Sequence, residues 1–100
     1  MFVVLWEFEV KPEHAERFEK VYGPGGDWDS LFHTDPAHAE TRLFRDTTRS
    51  GVYLTADFWF SRESYEEFLA TRRSAYIALD AATEKMTQRE RKIGALEMEA

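Results

Sequence analysis

The chain contains no cysteine, so it can build neither a disulfide framework nor a thiolate metal site. Three prolines and five glycines are too few for linker or low-complexity composition. No apolar run approaches the roughly 20 residues that cross a bilayer. No basic stretch precedes the opening F-V-V-L-W-E-F-E-V, so neither a membrane anchor nor a signal peptide is expected. Cations are sparse as well. Thirteen Lys and Arg face nineteen Asp and Glu, a formal net charge of −6, and the basic residues stand singly or in pairs such as Arg72-Arg73. Phosphate backbones attract clustered bases, so nucleic acid is dropped as a partner. With membrane and secretion signals missing, the cytoplasm is the expected location.

What is plentiful is aromatic side chains, 15% of 100 residues. One domain covering 1–100 is expected at this length. Residues 2–10 read as a strand that is apolar on both faces early and acidic on one face later, at Glu7 and Glu9. Lys11-Pro12-Glu13 opens a helix whose buried stripe is Ala15, Phe18, Val21 and Tyr22, and G-P-G-G ends it. Asp27 caps a short helix over 28–33. Strands over 39–46 and 52–60 flank the T-T-R-S-G hairpin. Ser61 caps a helix to about residue 70, another runs over 73–86, and T-Q-R-E at 87–90 has capping-box spacing for one more turn. A weaker strand closes the chain over 93–99. The order strand, helix, strand, strand, helix, strand predicts an α+β fold, a ferredoxin-like βαββαβ antiparallel sheet with helices on one face. The other face then needs a cover, and a second copy of the chain is the simplest one, which predicts a homodimer.

Asp57 stands inside the aromatic strand Y-L-T-A-D-F-W-F. An unpaired carboxylate in a dry core would cost several kcal/mol, so it must meet water, a cation or a ligand. Strand alternation groups Leu54, Ala56, Phe58 and Phe60 as an apolar face under the helices. Tyr53, Thr55, Asp57 and Trp59 then share the opposite face with Leu5 and Glu7, while Val4, Trp6, Phe8 and Val10 go to the helix side. Aromatic rings beside convergent polar groups describe a ligand cavity. Arg42 is the alternative partner for Asp57 and would make the pair merely structural. A register slip of one residue puts Thr41 there instead.

Among the histidines, His14 belongs to a solvated first turn. H-T-D-P-A-H places His33, Asp35 and His38 at ligand-like spacing, but a dedicated site needs three or four converging ligands, and no metal is expected. G-P-G-G lacks the Lys and Ser/Thr of a phosphate loop and reads as a turn. Trp28, Leu31 and Phe32 have the spacing of a buried helix stripe, although Trp28 can also wall a pocket.

The run D-F-W-F-S at 57–61 resembles the acidic-x-Trp-x-Ser segment of the antibiotic biosynthesis monooxygenase family. V-K-P-E before the first helix, G-G-D-W-x-x-L-F and the ending I-G-A-L-E also resemble small members of that group. The resemblance implies a dimeric α+β barrel and oxidation of an aromatic or polyketide-like molecule with oxygen, using no cofactor. Chemistry of this kind needs aromatic walls, donors for a developing oxyanion and an acceptor for one proton. On this reading Asp57 and Trp59 are the catalytic candidates, and Tyr53, Thr55, Leu5, Glu7, Trp28 and Tyr76 contact the substrate. Many relatives carry histidines on the helix after the Trp, where this chain has Phe68 and Arg73, which disfavours haem degradation. Two rival expectations stand beside it. One is a non-catalytic or stress-related module holding a small apolar ligand, and the other is a structural dimer with no cavity.

Overall fold

A computed structural model describes residues 1–99. Strand β1 (Phe2–Val10) is followed by a 3-10 turn (Pro12–His14), helix α1 (Ala15–Tyr22) and helix α2 (Asp27–Phe32). Strands β2 (His38–Arg45) and β3 (Val52–Trp59) form the hairpin. Helices α3 (Arg62–Thr71) and α4 (Arg73–Thr83), a second 3-10 turn (Glu84–Met86) and strand β4 (Thr87–Glu97) complete the chain. The four strands form one antiparallel sheet in the order β2-β3-β1-β4, with the helices on one face. This is the expected ferredoxin-like α+β fold.

Local chemistry explains most boundaries. Ser61 Oγ accepts from the Ser64 N–H at 3.1 Å and the Ser64 hydroxyl faces back to the Ser61 N–H at 3.1 Å, a reciprocal cap that starts α3. In the β2–β3 turn, Asp46 accepts from the N–H groups of Thr48 and Arg49 and from the Thr48 hydroxyl, while Gly51 takes a left-handed φ of 78°. Those bonds, the backbone N–H of Thr48 first, hold the Asp46 carboxyl far below the usual carboxylate range. Asp27 lies inside the first turn of α2 rather than capping it, and Gly26 is the N-cap. The T-Q-R-E segment forms no helical turn. Residues 87–90 already pair with β1, because backbone groups of Glu9 and Phe8 lie opposite Arg89 and Glu90.

The core is largely aromatic. Trp59, Phe18 and Phe68 are 0% exposed. Trp59 is ringed by Phe32, His38, Tyr65 and Phe68 at centroid distances of 5.0–5.6 Å. On α1, Phe18 and Tyr22 stack at 4.2 Å, and Phe18 packs beneath Phe8 and Tyr53. Among the described residues, no helix is long and apolar enough to cross a membrane.

Register overturns one face assignment. In antiparallel pairing, residues directly opposite each other share a face. Phe2 opposes Trp59, Val4 opposes Asp57, Trp6 opposes Thr55 and Phe8 opposes Tyr53. Phe2, Val4 and Phe8 are buried under the helices as expected, so Tyr53, Thr55, Asp57 and Trp59 lie under them too. Leu54, Ala56 and Phe58 face away, together with Val3, Leu5, Glu7, Phe44 and Leu96. Phe60 lies beyond the strand and is 76% exposed. The inference that failed was that the more apolar face of β3 must be the one beneath the helices.

Candidate active site between the sheet and the helices

The inverted face places Asp57 in a half-open cavity that one chain forms alone. A cavity of about 210 Å³ lies between sheet and helices, somewhat larger than an engineered apolar void of about 150 Å³ that holds benzene. Strand residues Val4, Trp6, Phe8, Thr41, Thr55, Asp57 and Glu90 form its floor. Tyr22, Trp28, Phe32, Tyr65, Tyr76 and Asp80 close over it from the helices. Trp28 packs edge-on against Tyr76 at 5.0 Å, so α2 and α4 meet through the cavity roof.

Asp57 is 8% exposed, and its partner is not Arg42. The register puts Thr41 opposite it, and the Thr41 hydroxyl donates to Asp57 Oδ1 at 2.5 Å. Arg42 projects from the other face and donates to Glu40 at 2.8 Å. Behind Thr41 stands His38, 3% exposed, with Nε2 at 3.1 Å from Thr41 Oγ1 and 3.5 Å from Asp57 Oδ1. The buried carboxylate is therefore held by a hydroxyl and an imidazole, which answers the expense of burying it.

The remaining polar groups follow a pattern. Burial raises the Tyr65 hydroxyl, and it pushes Tyr76 up to about 12, with Tyr65, Asp80, Glu90 and Asp57 adding to the rise. Both phenols thus remain hydrogen-bond donors at neutral pH. Burial, then the neighbouring Asp80, raises the Glu90 carboxyl. The indole N–H groups of Trp28 and Trp59 are both buried without a hydrogen-bond partner within 3.5 Å among the described residues; of the two only Trp28, beside Tyr22, lines the cavity. Three carboxylates line the space, and no Lys, Arg or His does.

Four sequence-predicted residues come together here: Asp57, Thr55, Trp28 and Tyr76. Four do not. Leu5 and Glu7 lie on the open face of the sheet, where Glu7 accepts from Arg49 at 2.8 Å and Arg91 at 3.1 Å. The Arg49 hydrogen bond, then that of Arg91, lowers the Glu7 carboxyl. Tyr53 is on the helix side but too near the far end of α1, and its hydroxyl donates to Glu19. Trp59 is sealed in the core, away from the cavity. The sequence reading missed Thr41, Tyr65, Asp80, Glu90 and His38. Thr41 was visible only as the alternative register, and Glu90 was hidden by the false helical turn.

The histidine motif also changes. Asp35 is spent on its own turn, accepting from the Ala37 N–H at 2.9 Å. Asp29 takes its place: Asp29, His33 and His38 offer ligand atoms all within 4.8 Å of one another.

Comparison with known proteins agrees with this architecture. SnoaB, a cofactor-independent oxygenase from Streptomyces nogalater, superposes with a TM-score of 0.78 at 17% identity, covering 99% of this chain and 93% of that one. A structure described as an antibiotic biosynthesis monooxygenase gives 0.68 at 18% identity over 100% and 98% of the two chains. A conserved protein from Methanosarcina mazei Go1 gives 0.72 at 11% identity over 98% and 92%. At these identities the likeness is one of fold. No curated protein matches. The profile of the antibiotic biosynthesis monooxygenase family matches residues 1–77, which include both strands of the Asp57 hairpin and most of the cavity lining, and the chain belongs to that family.

Proposed function

We propose that the protein is a cofactor-independent monooxygenase for a small aromatic or polyketide-like molecule, acting in the cavity between sheet and helices. The observation that carries the reading is Asp57, a carboxylate fixed by Thr41 at the floor of an aromatic enclosure. An activated C–H of the substrate gives its proton to Asp57. The carbanion left behind passes an electron to dioxygen, the two radicals combine to a peroxide anion that takes the proton back from Asp57, and the hydroperoxide loses its second C–H proton and hydroxide as water to leave a carbonyl. One dioxygen is consumed, with one oxygen atom in product and one in water. Tyr65, Tyr76 and the unpartnered Trp28 N–H are donors for the developing oxyanion. With three carboxylates and no cation around it, the cavity favours a neutral or cationic molecule over an anionic one.

The same reading gives the open sheet face to a second copy. Val3, Leu5, Leu54, Phe58 and Leu96 make it apolar, and Leu96 is 50% exposed in the single chain. The dimer would shield this face, while each chain keeps its own cavity.

Oxygen uptake with anthrone- and quinol-like substrates tests the reading. Turnover that falls about 10²- to 10⁴-fold in Asp57→Asn supports it. Thermal shifts by the same molecules without oxygen uptake would replace it with a ligand-holding module.

A further inference from the structure

We propose that Asp29, His33 and His38 form a binding site for a divalent transition-metal ion of the Zn²⁺ class, just behind the cavity wall. Asp29 and His33 are one helical turn apart at the end of α2, so they share a face. The turn after them, closed by the His38 N–H donating to the Asp35 carbonyl at 3.1 Å, folds His38 back onto that face. The result brings His33 Nδ1 to 2.9 Å and Asp29 Oδ1 to 3.8 Å from His38 Nδ1. Metal–nitrogen and metal–oxygen bonds of about 2.0–2.2 Å set neighbouring ligand atoms roughly 3.0–3.4 Å apart. The two measured separations, 2.9 and 3.8 Å, bracket that spacing, and His33 is exposed while Asp29 is half-buried.

Hydrogen bonding fixes which His38 nitrogen is free. Thr41 has one hydroxyl proton and gives it to Asp57. At 3.1 Å from His38 Nε2, Thr41 must therefore accept, so Nε2 carries the hydrogen. With the hydrogen bond to Thr41 made through Nε2, Nδ1 is the ring nitrogen that faces His33 Nδ1 and Asp29 Oδ1. This is the tautomer of a metal ligand whose other nitrogen is held by a hydrogen bond, here to Thr41 Oγ1 at 3.1 Å, with Thr41 in turn anchored on Asp57. Asp29 is likewise prepared: its Oδ2 accepts from the Gly25 N–H at 2.7 Å, leaving Oδ1 towards the histidines. Two imidazoles and one carboxylate suit Zn²⁺, Co²⁺ or Fe²⁺ rather than Mg²⁺ or Ca²⁺. His38 does not line the cavity, and no step of the oxidation proposed above is assigned to the ion, although the ring stands 3.5 Å from Asp57.

Calorimetric titration of the full chain with Zn²⁺, together with Co²⁺ absorption spectra, tests this. One equivalent per chain is expected to bind in the micromolar range and to displace Co²⁺ from a tetrahedral spectrum. His33→Ala and Asp29→Asn, at accessible positions, should each weaken binding more than about tenfold, while His14→Ala leaves it unchanged. Thr41→Val should weaken it about 10- to 100-fold by releasing the His38 ring. Nitrogen NMR of the metal-free protein should show His38 protonated at Nε2. Binding that is absent, or that survives His33→Ala and Asp29→Asn, overturns the proposal and means the two histidines merely share a hydrogen bond. His33 and Asp29 lie outside the cavity, so their variants decide metal binding independently of oxygen uptake.

Discussion

The two faces of the sheet are built from alternate residues of the same strands, yet they do opposite things. The face turned to the helices holds Thr41, Thr55, Asp57 and Glu90 among aromatic rings and encloses space. The face turned away holds Val3, Leu5, Leu54 and Phe58, with its charges paired off, Glu7 with Arg49 and Arg91, Glu40 with Arg42 and Glu9 with Arg89. Within β3 the more apolar of the two alternating sets is the one left uncovered in a single chain. Under the helices Asp57 is hydrogen-bonded by Thr41, and burial raises Tyr65, Tyr76 and Glu90, whereas the Trp28 N–H has no partner; a filled dry core would have no place for such groups. An apolar outer face is stable only with a cover.

The contrast can be broken in graded steps. Asp57→Asn should give the largest change, the loss of turnover described above, with the fold retained because the amide still accepts from Thr41. In the core, Trp59→Ala should cost about 3–5 kcal/mol, seen as a drop in denaturant midpoint, with up to about half of the population unfolded without denaturant if total stability is near the low end of about 5–15 kcal/mol. On the outer face, Leu5→Arg should shift sedimentation from dimer to monomer without lowering the affinity for a cavity ligand. Ser61→Ala removes the α3 cap and should destabilise by about 0.5–2 kcal/mol in the same denaturant assay.

The smallest effect concerns pH. Because burial raises Glu90, the folded chain keeps that proton to higher pH than the unfolded chain does. Protonated Glu90 therefore contributes stability that is fully present below the ordinary value of 4.5 and is lost as pH rises through the raised one. Glu90→Gln should leave stability unchanged in acid and increase it at neutral pH, measured by urea unfolding at both.

Much of this was legible in the chain. Alternation in β1 located the helix side, Ser61 announced a cap, and Asp57 stood out because a carboxylate among aromatics demands an explanation. Strand faces were not legible in β3, since both alternating sets contain large rings and only pairing with Val4 and Trp6 decides between them. His38 and Asp29 could not be connected from spacing, because the turn at Asp35-Pro36 brings them together in space.

The central claim is that the site lies beneath the helices of one chain. Thr55 and Leu54 are neighbours in sequence and point to opposite faces, so Thr55→Phe and Leu54→Phe should be compared for the thermal shift produced by an aromatic ligand. The account predicts that Thr55→Phe abolishes the shift and Leu54→Phe preserves it. The opposite pattern would put the ligand on the outer face and contradict the account.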